Sequence, residues 1–397
     1  MLTPEEALDF LLGEARPLKD ETDCALDDAL GAVLAADVPC PIDLPGADLS
    51  AMDGYAVRAA DTFDAASLPV AARIVAGARE CAPLPEKSAA RIFTGAPLPA
   101  GADTVVMQEE CRAENDRVVF SRTVEVGSNV RRRASEMAQG ALLLAGGTRI
   151  SAAHIGLAAS AGIARLRCRR RLRVALLCTG DELAAPGEPL RPGQIYNANR
   201  AQLAALLARL GCDVRVCAPV PDRLDTLRAA LKDAAARCDV LLTTGGVSVG
   251  EEDHVKAAVE AEGELRLWKI ALKPGKPLAF GRVGESDFIG LPGNPVSCFV
   301  TFLLFVRPFL LARMGAAQPR ARSLRLPAGF ARDKIQNRTE YLRARLDDEG
   351  RVVPCAQQGS AALAALAAAD GLAVHPAGAA IALNETIEFF PFHALLS

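Results

Sequence analysis

A chain of 397 residues, half of them hydrophobic and 5% aromatic, has the length and composition of an α/β protein of roughly two to four domains. Its formal net charge of -3 argues against a nucleic-acid partner. The 11 cysteines include no C-x-x-C pair, and His154, His254, His375 and His393 are dispersed, so reduced thiols in a cytoplasmic protein are expected and a zinc site is not.

The first element, MLTPEEALDFLLGEA, reads as an amphipathic helix with Thr3 as N-cap and Pro4 at its first position. It lacks the uninterrupted apolar core of a signal peptide. A second helix is expected over ALDDALGAVLAADV, followed by the Pro-rich extended segment PCPIDLPGADLS. From Tyr55 to about Asn129, short β-like runs broken by Gly and Pro suggest a small β module. Gly140 to Ala164 returns to a strand and a helix, Ala152 to Ala161, so the module reads as an insertion. Residues 1–45 and 139–168 then form an elongated N-terminal domain, with 46–138 as the inserted β-rich domain.

From Leu172 the chain alternates strand, loop and helix, which means a doubly wound parallel sheet spanning residues 169–316. Ligands of such sheets lie off the carboxyl ends of the strands. The segment Val296 to Val306 is strongly apolar but stops at Arg307-Pro308, too short to span a bilayer, and reads as a buried helix. Residues 317–397 suggest a small β domain, interrupted by an Ala-rich helix from Ser360 to Ala369. The fold class is therefore multidomain α/β. The basic stretch Arg165 to Arg173 alternates with apolar residues and reads as a strand or linker at a domain junction, and Arg131-Arg132-Arg133 as a solvated or inter-domain surface.

Five strand-end loops carry candidate chemistry. In TTGGVSVGEED, Gly245, Gly246 and Gly250 let the backbone approach a ligand, and free N–H groups favour a phosphate. Glu251, Glu252 and Asp253 follow at once, so either a divalent cation sits between acids and phosphate or the acids only cap a helix. Thr179-Gly180-Asp181-Glu182 and Asp222 follow the two preceding strands; metal or ribose contact and plain helix capping are both open. Converging carboxylates would raise one another's pKa without a cation. Lys273-Pro274-Gly275-Lys276-Pro277 carries two ammonium groups and no acid, which suits a compact anion. In LPGNPVS, Asn294 can cap a helix that starts at Pro295, leaving N–H groups and the Ser297 hydroxyl for a second anion contact. SAMDGYAV, with Asp53, reads from its residues alone as a linker turn.

TGDEL, TTGGVSVGEED, KPGKP and LPGNPVS resemble the substrate loops of molybdenum cofactor biosynthesis proteins. With SAMDGYAV ahead of them, nearly the whole chain resembles the molybdopterin molybdenumtransferases, the MoeA and gephyrin E-domain family. The related molybdopterin adenylyltransferases share GGVSVG and PGNPVS but not SAMDGYAV. The resemblance implies insertion of molybdate into adenylylated molybdopterin with release of AMP, a Mg²⁺ requirement and a homodimer. It also implies contact with molybdopterin adenylyltransferase and molybdoenzymes, but with neither nucleic acid nor membrane. An adenylyltransferase, or a non-catalytic scaffold of the same fold, is the alternative.

By resemblance, substrate lies along Thr179, Gly180, Asp181, Gly245, Gly246, Ser248, Gly250, Pro292, Gly293, Asn294 and Pro295. Glu182, Asp222 and Asp253 would place the metal, and Lys273, Lys276, Ser297, Arg343 and Ser360 would hold molybdate. Asp53 and Thr94 would face the partner subunit's α/β domain, with Asp53, Glu182, Asp222, Asp253, Lys273 and Lys276 as the catalytic set. The chain departs from the family at Met137, where an aspartate is usual, at Asn337 before Arg338, and at Ala361 after Ser360.

Overall fold

The apolar runs after Leu172 form one central sheet in a computed structural model that describes residues 2–63, 66–218, 220–246, 254–275 and 277–396. Its strands are β1 Arg173–Cys178, β2 Asp213–Val216, β3 Val240–Thr244, β4 Gly263–Lys269, β5 Pro277–Val283 and β6 Ser286–Leu291. Across the sheet they run β2-β1-β3-β6-β5-β4. The expected parallel pairing holds for β2, β1, β3 and β6, whereas β5 is antiparallel to both β6 and β4. The exception follows from chain length. Only Gly284 and Glu285 separate β5 from β6, and a parallel return needs a crossover of about a dozen residues.

Helices cover both faces of this sheet. Val174 and Leu176 of β1 pack with Leu203 and Leu207 of the helix Ala198–Leu210 and with Phe305 and Phe309 of the long helix Pro295–Arg313. Ala175 and Leu177 point the other way, onto helices Leu224–Ala235 and His254–Glu262 through Leu227, Leu231, Val255 and Val259. Burial on both sides is why β1 and β3 read as unbroken apolar runs. The long helix has a mean hydropathy of 1.9 over its most apolar window, of which 83% is buried, so it is a core helix. Its turn Phe302–Val306 widens into π form ahead of Pro308, whose missing N–H already interrupts the ladder.

The first helix, Pro4–Glu14, has the expected Thr3 cap, completed by Glu6 as a capping box. It packs on the central domain: Ala7 and Leu11 are fully buried there, and Phe10 meets Phe280 edge-on at 6.0 Å. The helix expected over ALDDALGAVLAADV is not formed. Leu26–Asp28 makes one 3₁₀ turn, and Val33 and Leu34 bridge Arg149 and Cys168 instead. Leu34 then buries against Leu143, Ile150 and Leu166, and that tertiary burial outweighs helix propensity.

Segments on either side of residues 46–138 pair with each other. Glu21–Ala25 pairs with Arg165–Arg169, and Val38–Pro39 with Leu142–Leu144. Met137 bridges Leu44 and packs on the same core. Between them lies a separate six-stranded sheet made of Gly54–Val57, Ser67–Ile74, Ala89–Ile92, Thr104–Met107, Cys111–Glu114 and Arg117–Phe120. SAMDGYAV is therefore not a linker turn. Gly54–Val57 is buried throughout between two neighbours, and a Cβ on Gly54 would fall 1.9 Å from the Val106 carbonyl oxygen.

At the junction with the central domain five arginines of the basic stretch pair with acids. Arg165 pairs with Asp23, Arg167 and Arg169 with Glu21, and Arg170 with Asp20. Arg170 also grips Asp239 with two nitrogens, at 2.7 and 2.9 Å, while Arg173 adds its backbone N–H at 2.8 Å and a side-chain bond at 3.0 Å. Burial pushes the Asp239 carboxyl up, but the two guanidiniums outweigh it and hold the group well below the usual carboxylate range. Arg132 and Arg133 likewise hold Asp48 and Asp43.

The C-terminal sheet comprises Leu324–Pro327, Thr339–Leu346, Val352–Pro354, Gly371–His375 and Thr386–Pro391. Its remaining strand, Leu272–Lys273, comes from the central domain and runs parallel to Thr339–Glu340. The run LRLWKIAL, residues 265–272, thus serves two sheets. The Ala-rich helix is confined to Leu363–Ala367.

Candidate active site

Strands β1, β3 and β6 end side by side. Thr179 follows β1 and bridges Val220 beyond β2, a Cβ on Gly245 would lie 3.4 Å from the Thr179 carbonyl oxygen, and one on Gly293 would lie 3.7 Å from the Gly245 Cα. A cleft of about 580 Å³ opens over these ends. Thr179, Glu182, Thr244, Gly245 and Gly246 line it from the first and third strands. Pro292, Gly293, Asn294 and Ser297 line it from the turn into the long helix, and Gly275 and Pro277 from the lysine loop. Arg338 and Ser360 come from the C-terminal domain. The cleft thus lies off the carboxyl ends of the parallel strands.

Backbone geometry sets the rim. Gly180 has φ +134°, a region closed to most side chains, and a Cβ there would sit 2.3 Å from Glu182 Oε2. Glu182 thus folds back over its own turn, whereas Asp181 is exposed and not part of the cleft wall. Asn294 occupies the cap position of the long helix, with Pro295 first in the helix, but its side chain makes no capping bond. The Val296 N–H is taken by the Ser360 carbonyl oxygen at 3.0 Å, so the C-terminal domain helps cap this helix. Ser297 is buried in the wall beside it.

Asn199, which no motif singles out, holds the turn. Its Nδ2 donates to the Gly293 carbonyl at 2.7 Å, and Gln202 Nε2 donates to Asn199 Oδ1 at 3.0 Å and to the Pro295 carbonyl at 2.9 Å. A signal existed in NANR. Asn197 caps its helix by accepting from the Arg200 N–H, which leaves the second asparagine without a capping role.

The charged candidates separate. Lys273, expected as a free ammonium for an anion, is bonded at 2.8 Å to the buried Glu340, whose other oxygen accepts from Arg332 at 2.6 Å. The strand pairing places Lys273 directly opposite Glu340. Arg343, expected in the oxyanion pocket, is fully buried. Its Nη2 donates to the Gln357 and Gly359 carbonyls at 3.2 and 3.0 Å, fixing the loop that delivers Ser360, and burial lowers its pKa. Asp222 does not cap its helix: Arg223 holds that position, and the buried Asp222 Oδ1 has no hydrogen-bond partner among the described residues. Asp53 and Thr94 do meet, since the Thr94 N–H and hydroxyl each donate to Asp53 Oδ1 at 2.8 Å and hold that carboxyl below its ordinary value. Neither lines the cleft. Lys276, Ser248, Gly250, Glu251, Glu252 and Asp253 lie outside the described residues, among which no three His, Cys, Asp or Glu side chains form a metal-ligand set.

Comparison with known proteins fits this architecture. Residues 2–162 match the model of the MoeA N-terminal region (domain I and II), 175–312 that of a probable molybdopterin binding domain, and 325–392 that of the MoeA C-terminal region (domain IV). The molybdopterin molybdenumtransferase of Haemophilus influenzae is 41% identical over 320 residues, covering 80% of this chain and 79% of its own. That of Synechococcus elongatus is 37% identical over 398 residues, covering 95% and 96%. A solved molybdopterin biosynthesis MoeA protein from Pyrococcus horikoshii OT3 superposes with a TM-score of 0.84 at 26% identity, covering 98% of this chain and all of that one. The chain belongs to the MoeA family of molybdopterin molybdenumtransferases.

Proposed function

We propose that this chain is a molybdopterin molybdenumtransferase that inserts molybdate into adenylylated molybdopterin and releases AMP. The observation that carries the reading is the cleft over the ends of β1, β3 and β6, floored by Gly245, Gly246 and Gly293 and closed by Ser360 of the C-terminal domain. Bare backbone at strand ends suits a pyrophosphate linkage, and the Ser297 and Ser360 hydroxyls suit an oxyanion beside it. Lys276, Ser248 and Gly250 belong to the loops that border this cleft in sequence. Lys273 acts from its ion pair with Glu340, and Arg343 acts by holding the loop before Ser360.

Mg²⁺ would be held by Glu182, Asp222 and Asp253, and the unsatisfied Asp222 Oδ1 fits a cation ligand. When bound, the ion offsets charge on the phosphoanhydride. The protein acts as a cytoplasmic homodimer, in which Asp53 and Thr94 serve the partner's cleft; that neither lines this chain's own cleft supports the dimer, and the 11 free cysteines support the compartment.

Purified protein supplied with adenylylated molybdopterin, Mg²⁺ and molybdate should release AMP only when molybdate is present. Retained binding without release would sink the catalytic reading, and ATP-dependent adenylylation of molybdopterin would replace it. Mixing Asp53→Asn with Asp222→Ala protein should restore release if the two residues act across a dimer.

A further inference from the structure

We propose that Arg338 contacts the tetrahedral oxyanion in the cleft, either molybdate or the phosphate of the adenylylated substrate. The proposal rests on the reading above and adds to it a residue outside the substrate, metal and molybdate sets that the resemblance implies. A cleft for a multiply charged anion needs cationic groups that are not already spent on carboxylates. Lys273 is spent on Glu340, and Arg343 is turned away into the carbonyls of 357 and 359. Arg338 lines the cleft with Asn294, Ser297 and Ser360, and among the described residues it has no carboxylate partner.

The position is built rather than accidental. Arg338 directly precedes Thr339, which pairs with Leu272, and its Nη1 donates to the Leu272 carbonyl at 3.1 Å. That bond anchors one edge of a planar, five-donor group, and an anion can be met by the rest of the fork. The central and C-terminal domains are joined at this same point, so the guanidinium is delivered by the strand pairing that also consumes Lys273.

The test is steady-state AMP release by Arg338→Ala and Arg338→Lys, with KM measured separately for molybdate and for adenylylated molybdopterin, beside thermal melting. Arg338→Ala is expected to raise one KM about 10- to 100-fold, the range of a hydrogen bond to a charged group, and Arg338→Lys to recover part of it. Which KM moves identifies the oxyanion. A lowered melting temperature with both KM values unchanged would mean that Arg338 only holds Leu272, and would overturn the proposal. Equilibrium binding of molybdate alone, and of adenylylated molybdopterin alone, is measured on the same proteins. If the wild type releases no AMP, the functional reading fails by itself; weaker binding of either probe to Arg338→Ala then sustains the contact, and unchanged binding of both overturns it.

Discussion

Two parts of the molecule are rich in cations and use them in opposite ways. Between Arg165 and Arg173 five arginines meet Asp20, Glu21, Asp23 and Asp239, and the stretch works as a domain junction. At the cleft, Lys273 meets Glu340 and Arg343 meets backbone carbonyls, while Arg338 reaches the wall without a carboxylate among the described residues. Charge density along the chain therefore says little about anion binding. What matters is which cations the fold leaves unpaired.

The comparison can be broken at its strongest point. Asp239→Asn should destabilise the protein by about 3 kcal/mol, the low end for a broken buried pair because Arg173 is half exposed, and leave AMP release per folded molecule unchanged. Equilibrium unfolding in denaturant measures the first and a burst of AMP release the second. The effect carries a pH signature. The folded Asp239 carboxyl titrates below its ordinary value of 3.8, so its stabilisation is full above that pH and is lost as pH falls beneath it. The stability gap between wild type and Asp239→Asn should accordingly hold steady down to about pH 4 and narrow below it; a gap that stays constant below about pH 4 would refute the pairing.

Glu340→Gln comes next, at about 2 kcal/mol, because Lys273 and Arg332 then face an uncharged partner in a buried place. If the melting curve does not move, the domain junction at Leu272–Lys273 does not depend on that ion pair. Asn199→Ala should cost about 1 kcal/mol by leaving the Gly293 carbonyl unpaired, and should raise the KM for adenylylated molybdopterin while kcat changes less. A kcat defect alone would show that Asn199 does not act through the turn. Smallest of all, Arg165→Ala removes an exposed pair with Asp23 and should stay within about 0.5 kcal/mol by the same unfolding measurement.

Much of this was legible in the order of residues. Thr3, Pro4 and Glu6 mark the first helix because a capping box is local chemistry. Glycines after apolar runs mark the strand ends, and those ends do converge on one cleft. The segment from Ala25 to Val38 misleads because its helical period is overruled by ladders to Arg149 and Cys168, remote residues that no window includes. The buried strand Gly54–Val57 misleads for the same reason, since its neighbours Ala89–Ile92 and Thr104–Met107 arrive later. Asn199 stayed hidden because its partner, the Gly293 carbonyl, is a backbone atom far along the chain.

Composition and local spacing by themselves determine which loops carry acids, ammonium groups and bare backbone, and that these loops follow strands. They do so because capping, turns and alternation are interactions between near neighbours. Only the tertiary structure decides that Lys273 is neutralised, that Arg343 faces inward and that Arg338 does not. The outcomes at Lys273 and Arg338 depend on a strand of the central domain lying against one of the C-terminal domain, and that at Arg343 on the loop of residues 357–359 folding back over its strand; the partner of a charge is set by such contacts rather than by the residues beside it.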